Sequence, residues 1–264
     1  MKVKYQLLKF NFLLNQFGID LIKFLNSLRS LPSFFYDLSQ FKKNYNGVLK
    51  FSPCLHDRYE EAGVTKSEYF WQDLLVARFI RDAEPIKHVD IGSRIDGFVA
   101  HIASFREVEV FDIRPMSTAI PNITFRQIDL MNSNVFSNLY ENGEYCDSLS
   151  CLHAIEHFGL GRYGDQINHQ GYNKGIQNMA KLLRSDGLFY LSTPIGKERV
   201  EFNANWVFDP RTIIKIAIEN NLKLKSLTIF SHDKGVYELD PNEKNLLTLA
   251  EQNYNLGIFV FIKI

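Results

Sequence analysis

The stretch His88-Val-Asp-Ile-Gly-Ser-Arg-Ile-Asp-Gly97 constrains the fold of this chain more than any other. A short apolar strand ends in an acid, a glycine and a turn, and a helical pattern (Phe98 to Phe105) follows at once. Such a unit presents bare backbone N–H groups to a ligand at a helix N-terminus. A glycine-rich nucleotide loop would carry further glycines where Arg94 and Asp96 stand.

From this unit onward the pattern alternates. Strand candidates are His88–Ile91, Val108–Asp112, Ile123–Ile128, Ser148–Leu152, Leu188–Ser192, Lys223–Phe230 and Gly257–Ile264. Helix candidates between them are Gly97–Phe105, Val135–Tyr140, Asn173–Leu183 and Arg211–Asn220, and Glu68–Arg81 precedes the first strand. This alternation predicts a doubly wound, mostly parallel seven-stranded sheet covered by helices on both faces. Residues 231–256 are polar, with a weak helical signal from Glu243 to Gln252.

Residues 1–47 read as a separate helical extension to a main domain at 60–264. Leu14, Phe17, Leu21, Phe24, Leu28 and Leu31 recur at helical spacing, Pro32 ends that stretch, and Asn46-Gly47 is a turn signal. Residues 1–50 hold eight lysines and arginines against two acids. A basic amphipathic segment of this kind fits a peripheral membrane surface or a partner protein, and equally a helical pair packed on the main domain.

The whole chain has no net charge, which argues against a nucleic-acid partner. Hydrophobic residues at 45% and charged residues at 23% describe a globular domain. Three cysteines (Cys54, Cys146, Cys151) without paired spacing point to a reducing, cytoplasmic compartment and to no structural metal. No apolar run approaches the length of a spanning helix, and no signal-peptide cleavage site follows the first lysines. If residues 1–47 touch lipid, the expected place is the inner membrane face.

Ligands of a doubly wound sheet sit beyond the carboxyl ends of its strands. The first strand ends at Asp90-Ile-Gly-Ser. Asp112 ends the second, 22 residues later, where a carboxylate commonly accepts two hydrogen bonds from a ribose diol. Asp129 follows the third, and Leu152-His-Ala-Ile-Glu-His157 ends the fourth. A lone acid at a strand end is more often a turn or cap residue. Four strand ends carrying such groups on one rim are a stronger signal than any one of them.

These segments, with Leu183-Arg-Ser-Asp-Gly-Leu-Phe-Tyr-Leu-Ser-Thr-Pro194, resemble the successive motifs of class I S-adenosylmethionine-dependent methyltransferases. The resemblance covers about residues 86–195, and the last two strands resemble that fold's closing antiparallel hairpin. Phe158-Gly-Leu-Gly-Arg-Tyr-Gly-Asp165 is similar to a narrower, uncharacterised methyltransferase-like family, first catalogued as nematode proteins of unknown function and also found in bacteria. The resemblance implies S-adenosylmethionine as cofactor. It makes Asp90, Gly92 and Ser93 the methionine-side loop, Asp112 the ribose ligand and Asp129 the adenine contact, with His153 at the junction of cofactor and substrate. A cofactor without phosphate tolerates Arg94 and Asp96 better than a dinucleotide would, so an NAD-dependent oxidoreductase fits poorly.

The Gly159–Asp165 loop is expected to overhang the pocket, with Arg162 and Tyr163 as substrate handles. Asn203, Asn205 and Trp206 follow the fifth strand and could line the acceptor side. His157, His169 and Asp165 are candidate bases for a hydroxyl acceptor. His153-Ala-Ile-Glu-His157 also spells an inverted zinc-protease motif, which requires a helix and is expected here at a strand end. The expected activity is methyl transfer to a small-molecule or glycan acceptor, such as a sugar hydroxyl in surface-glycan biosynthesis. The alternative is a non-catalytic binding or scaffold subunit of a glycan-assembly complex.

Overall fold

The computed structural model describes residues 10–132 and 145–264. The chain divides into two compact units, Met1–Val64 and Thr65–Ile264. The helix expected at Val135–Tyr140 lies outside the described residues.

In the first unit, residues 10–15 are helical and Gly18 adopts a left-handed conformation (φ +78°) that stops them. Asp20 then caps α1 (Leu21–Lys43), its carboxylate accepting from the backbone N–H groups of Ile22 and Lys23 at 2.9 and 3.1 Å. The break therefore falls at Gly18–Asp20 and not at Pro32, through which α1 continues. A proline inside a helix removes its own bond to the carbonyl one turn back, and the helix runs on past Pro32 without it. The apolar stripe is not buried: Phe24 is 57% and Leu28 48% exposed, while Ser30 is buried. Among the described residues, no helix is long and apolar enough to cross a membrane.

The second unit opens with α2 (Glu68–Ala83), capped by Ser67 and ended by Glu84 in the left-handed region. Next come β1 (His88–Ile91), a wide turn at Ile95–Val99 running into α3 (Ala100–Ala103), β2 (Val108–Asp112), β3 (Ile123–Gln127) and β4 (Cys146–Leu152). They are followed by α4 (Gly171–Leu182), β5 (Leu183–Ile195) and a small hairpin of β6 (Arg199–Glu201) and β7 (Asn205–Val207). The chain ends with α5 (Pro210–Glu219), β8 (Leu222–Ser231), β9 (Gly235–Glu238), α6 (Glu243–Ala250) and β10 (Asn255–Lys263).

The sheet runs β3-β2-β1-β4-β5-β10-β8-β9. The first five strands are parallel, and β10 lies antiparallel between β5 and β8, which forms the expected closing pair. Every residue of β1 and β2 is buried, as strands covered on both faces must be. One core packs Ile91, Leu149, Leu191 and Phe259 with Ile176 of α4 and Ile213 of α5. The other packs Val110, Leu152 and Ile258 with Val76 and Ile80 of α2. An eighth strand, β9, extends the expected seven. It is a half-buried edge strand turned by Gly235 (φ +69°), and its four residues carry no apolar alternation that would mark it in the sequence.

The segment after β1 departs from a plain helix start. Gly97 has non-helical dihedrals (φ −123°, ψ −108°). A side chain there would place its Cβ 2.9 Å from the Asp73 carboxylate of α2. The close approach of α2 thus accounts for a glycine at 97.

Candidate active site

The carboxyl ends of β1 to β4 open onto one cavity of about 480 Å³. Gly92 follows β1, Asp112 ends β2, Asp129 follows β3 and His153 follows β4, and all four line it. Strand order reverses between β2-β1 and β4-β5, so the cavity sits at the switch point where open α/β sheets bind ligands. Ile113, Met116, Phe125 and Leu130 supply apolar wall, and Arg94, His157, Arg162, Tyr163 and Asp165 complete the rim.

The turn after β1 is built differently from the expectation. The Gly92 N–H donates to the Phe111 carbonyl at 2.9 Å, and the Ser93 N–H donates to Asp90 at 3.1 Å, so neither is bare. Gly92 holds φ +69°, and a Cβ there would lie 3.0 Å from that of Ala154. The position therefore needs both the conformation and the smallness of glycine. Asp90 and Ser93 are buried and do not line the cavity, which corrects their assignment as cofactor ligands. The Asp90 carboxylate instead accepts from the hydroxyls of Ser93 (2.7 Å) and Ser150 (2.6 Å), and the Ser93 oxygen accepts from the Leu152 N–H at 3.2 Å. Together they tie the β1 turn to β4. Burial raises the Asp90 carboxyl to about 7 despite these donors.

Arg94 and Asp96, standing where glycines were expected, form a largely exposed ion pair with each other (Nη2–Oδ2, 2.7 Å). The pair leaves the cavity open.

Asp112 is only 7% exposed, and the chain itself occupies its carboxylate. Arg114 donates its backbone N–H (2.8 Å) and Nε (3.0 Å) to Oδ1, and its Nη2 to Oδ2 and to the Gly92 carbonyl. This partner was missed in the sequence, although the Asp-Ile-Arg triplet carries the signal: an arginine two residues past an acid can fold back on it, as Arg211 does on Asp209. Asp129 accepts from the Met131 N–H at 2.8 Å, an Asx-type turn.

The two histidines beyond β4 have opposite environments. His153 has φ +50° and a side chain 5% exposed. Its Nδ1 meets Glu156 Oε1 at 2.6 Å, and its Nε2 lies 3.4 Å from Glu68 Oε1, which also accepts from the Tyr254 hydroxyl. Burial opposes its charge, but the Glu156 carboxylate, assisted by Glu68, outweighs burial and holds the imidazole protonated well above the ordinary range. Glu68 lies far upstream on α2, and no local pattern announces it.

His157 Nδ1 lies 2.7 Å from the Ala204 carbonyl, which only accepts. Nδ1 therefore carries the proton, and Nε2 of the neutral ring carries the lone pair. Burial lowers its pKa, and the Arg162 charge adds to this against the pull of Glu156. Arg162 Nη1 donates to the same Ala204 carbonyl at 2.9 Å. The segment after β5 thus contributes a backbone oxygen to the site. Asn203, the expected side chain, is exposed and does not line the cavity.

The loop after β4 is stapled by Asp165. Its Oδ2 accepts from the N–H groups of Gly159 (2.8 Å) and Gly161 (3.2 Å), and its Oδ1 from that of Tyr163 (3.2 Å). Gly159, Gly161 and Gly164 all have positive φ. Asp165 lines the cavity, and three backbone N–H groups of its own loop hold its carboxylate. His169 is corrected, being exposed and outside the cavity lining. Of the three candidate bases, His157 and Asp165 line the cavity, and His157 Nε2, which carries the lone pair, lies 3.9 Å from Glu156 Oε1. His153–His157 forms a strand end and a single 3-10 turn (Ile155–His157), not the helix an inverted zinc-protease motif needs.

Residues 106–244, more than half the chain, match the family described as Caenorhabditis protein of unknown function, DUF268. The chain belongs to this family. The family description carries no reaction. No curated protein matches the sequence. Among solved structures, a putative sarcosine dimethylglycine methyltransferase from Galdieria sulphuraria is 12% identical with a TM-score of 0.50, covering 73% of this chain and 85% of that one. The CurJ carbon methyltransferase is 13% identical with a TM-score of 0.50, covering 74% of this chain and 55% of that one. The N-methyltransferase NodS from Bradyrhizobium japonicum WM9 is 12% identical with a TM-score of 0.48, covering 75% and 98%. This DUF268 member therefore has the Rossmann-like methyltransferase fold.

Proposed function

We propose that this protein transfers a methyl group from S-adenosylmethionine to a hydroxyl of a polar acceptor, and that the acceptor is a sugar of a surface glycan. One observation carries the reading: the Gly92 turn, Asp112, Asp129 and His153 line a single cavity at the switch point of a methyltransferase fold. The residues fit the cofactor. Asp112 offers acceptors for a ribose diol once Arg114 yields them, Asp129 offers one for an adenine amino group, and the apolar wall suits an adenine ring. The positive φ of Gly92 and the 3.0 Å that a Cβ would leave to Ala154 favour glycine there, which keeps the backbone close to the cavity.

The cofactor supplies a methyl group on a positively charged sulfur, open to in-line displacement. The chain's residues orient the acceptor and handle its proton. His157 Nε2 accepts the hydroxyl proton as the oxygen–carbon bond forms. His153, held protonated by two carboxylates, donates rather than accepts hydrogen bonds. Much of the acceleration comes from alignment within the cavity.

Calorimetry with S-adenosylhomocysteine tests the cofactor, with micromolar binding expected. Absence of binding at millimolar ligand overturns the reading. Transfer of a labelled methyl group to glycan fragments, read by mass spectrometry, tests the acceptor. The Asp112–Arg114 pair favours one second reading, a binding subunit that has closed its ribose position. Tight association with a partner enzyme and no cofactor affinity would support it.

A further inference from the structure

The rim of the cavity carries an uncommon charge arrangement. The guanidinium carbons of Arg114 and Arg162 lie 4.6 and 5.3 Å from the centroid of one ring, Tyr163. Two like charges on one aromatic ring repel each other unless anions stand near. Arg114 has Asp112. Arg162 has no carboxylate partner among the described residues; its Nη1 donates to the Ala204 carbonyl and lies 3.3 Å from His157 Nδ1. No described residue accepts from its Nε or Nη2. The nearest acid in sequence, Asp165, is spent on backbone N–H groups. Its neighbour His157 is neutral and cannot balance it.

The loop that carries Arg162 is tied to its own backbone. Asp165 staples it, and a Cβ on Gly159 would lie 1.9 Å from the Asn168 carbonyl oxygen. The Ala204 carbonyl fixes the guanidinium at the same oxygen that sets the His157 tautomer. An anion held by Arg162 is thereby placed beside the base. A preorganised guanidinium with free N–H groups suits two coplanar or tetrahedral oxygens.

We propose that the methyl acceptor is anionic, and that Arg162 holds its carboxylate or phosphate beside His157. Arg114 is the second arm: when ribose hydroxyls take over Asp112, its guanidinium is released next to Tyr163 and joins Arg162. The acceptor then binds more tightly after the cofactor than before it. This inference names the substrate class of the site assigned above and rests on that reading for the role of His157.

Calorimetry on the full chain, with and without saturating S-adenosylhomocysteine, decides it. The probes are glucose, glucose 1-phosphate and glucuronate, which separate a neutral sugar, a phosphate and a carboxylate. One of the two anions is expected to bind at least about tenfold more tightly than glucose. Arg162→Ala should abolish that preference, and Arg162→Lys should restore it in part. Equal binding of the three sugars, or no binding of either anion at millimolar concentration, overturns the proposal. So does an Arg162→Ala effect on S-adenosylhomocysteine as large as that on the anion, which would assign the arginine to the cofactor's own carboxylate. Failure of S-adenosylhomocysteine to bind, with the anion preference intact, would instead sink the cofactor reading alone.

Discussion

Arg114 folds back on Asp112, two residues before it, and occupies both carboxylate oxygens at the end of β2. On the proposed reading, a ribose diol and this guanidinium compete for the same acceptors. Arg114→Ala should therefore tighten S-adenosylhomocysteine binding several-fold by calorimetry. It should also lower the melting temperature of the free protein, because it strips the counter-ion from a nearly buried carboxylate. Asp112→Ala should weaken the ligand by about 1.5–3 kcal/mol, the range for hydrogen bonds to a charged group.

His157 is tuned toward its neutral form, mainly by burial. The acid limb of the rate profile is expected below the ordinary histidine value of about 6.5, because the lone pair on Nε2 survives to lower pH. His157→Gln should cost about 10²–10⁴ in kcat with a hydroxyl acceptor and remove that limb. A pH–rate profile of both proteins checks it. An unchanged limb in the variant would assign the titration elsewhere.

His153 moves the other way, up to about 10. Its folded value lies above its unfolded one, so its contribution to stability is complete below about pH 6.5 and is lost as pH rises toward the folded value. Chemical denaturation across that window should show stability falling by no more than ~1.4 kcal/mol per pH unit from this group. In His153→Gln that component of the slope should vanish.

The Gly159–Asp165 loop should tolerate little. Gly159→Ala forces both a left-handed alanine and a displaced Asn168 carbonyl, so it should cost well over ~1 kcal/mol in denaturant titrations. Asp165→Ala leaves three backbone N–H groups without their acceptor and should cost about 1–3 kcal/mol. Both should weaken acceptor binding more than cofactor binding, since the loop carries Arg162.

The rim of the site was legible in the sequence because strand ends converge by topology. Gly92, Asp112, Asp129 and His153 each end or follow a strand, and any parallel sheet must bring such residues to one edge. Asp90 and Ser93 were misplaced for a related reason. A strand buried on both faces gives no alternation to say which way an acid points, and Asp90 turned toward Ser150 of the neighbouring strand. Asp165 stood in the right loop, but its acceptors went to the loop's own backbone.

The sequence by itself determined the alternation of strands and helices, the mostly parallel sheet, and the glycines of the loop after β4. These follow from local periodicity and from φ values that only glycine adopts cheaply. Only the tertiary structure separated the two histidines in charge and tautomer. His153 and His157 are four residues apart and chemically identical. Glu68 from α2 and Glu156 hold one protonated, and the Ala204 carbonyl after the β5 edge sets the tautomer of the other. Glu156 is local to His153, but Glu68 and the Ala204 carbonyl come from distant parts of the chain, and no local sequence pattern announces them.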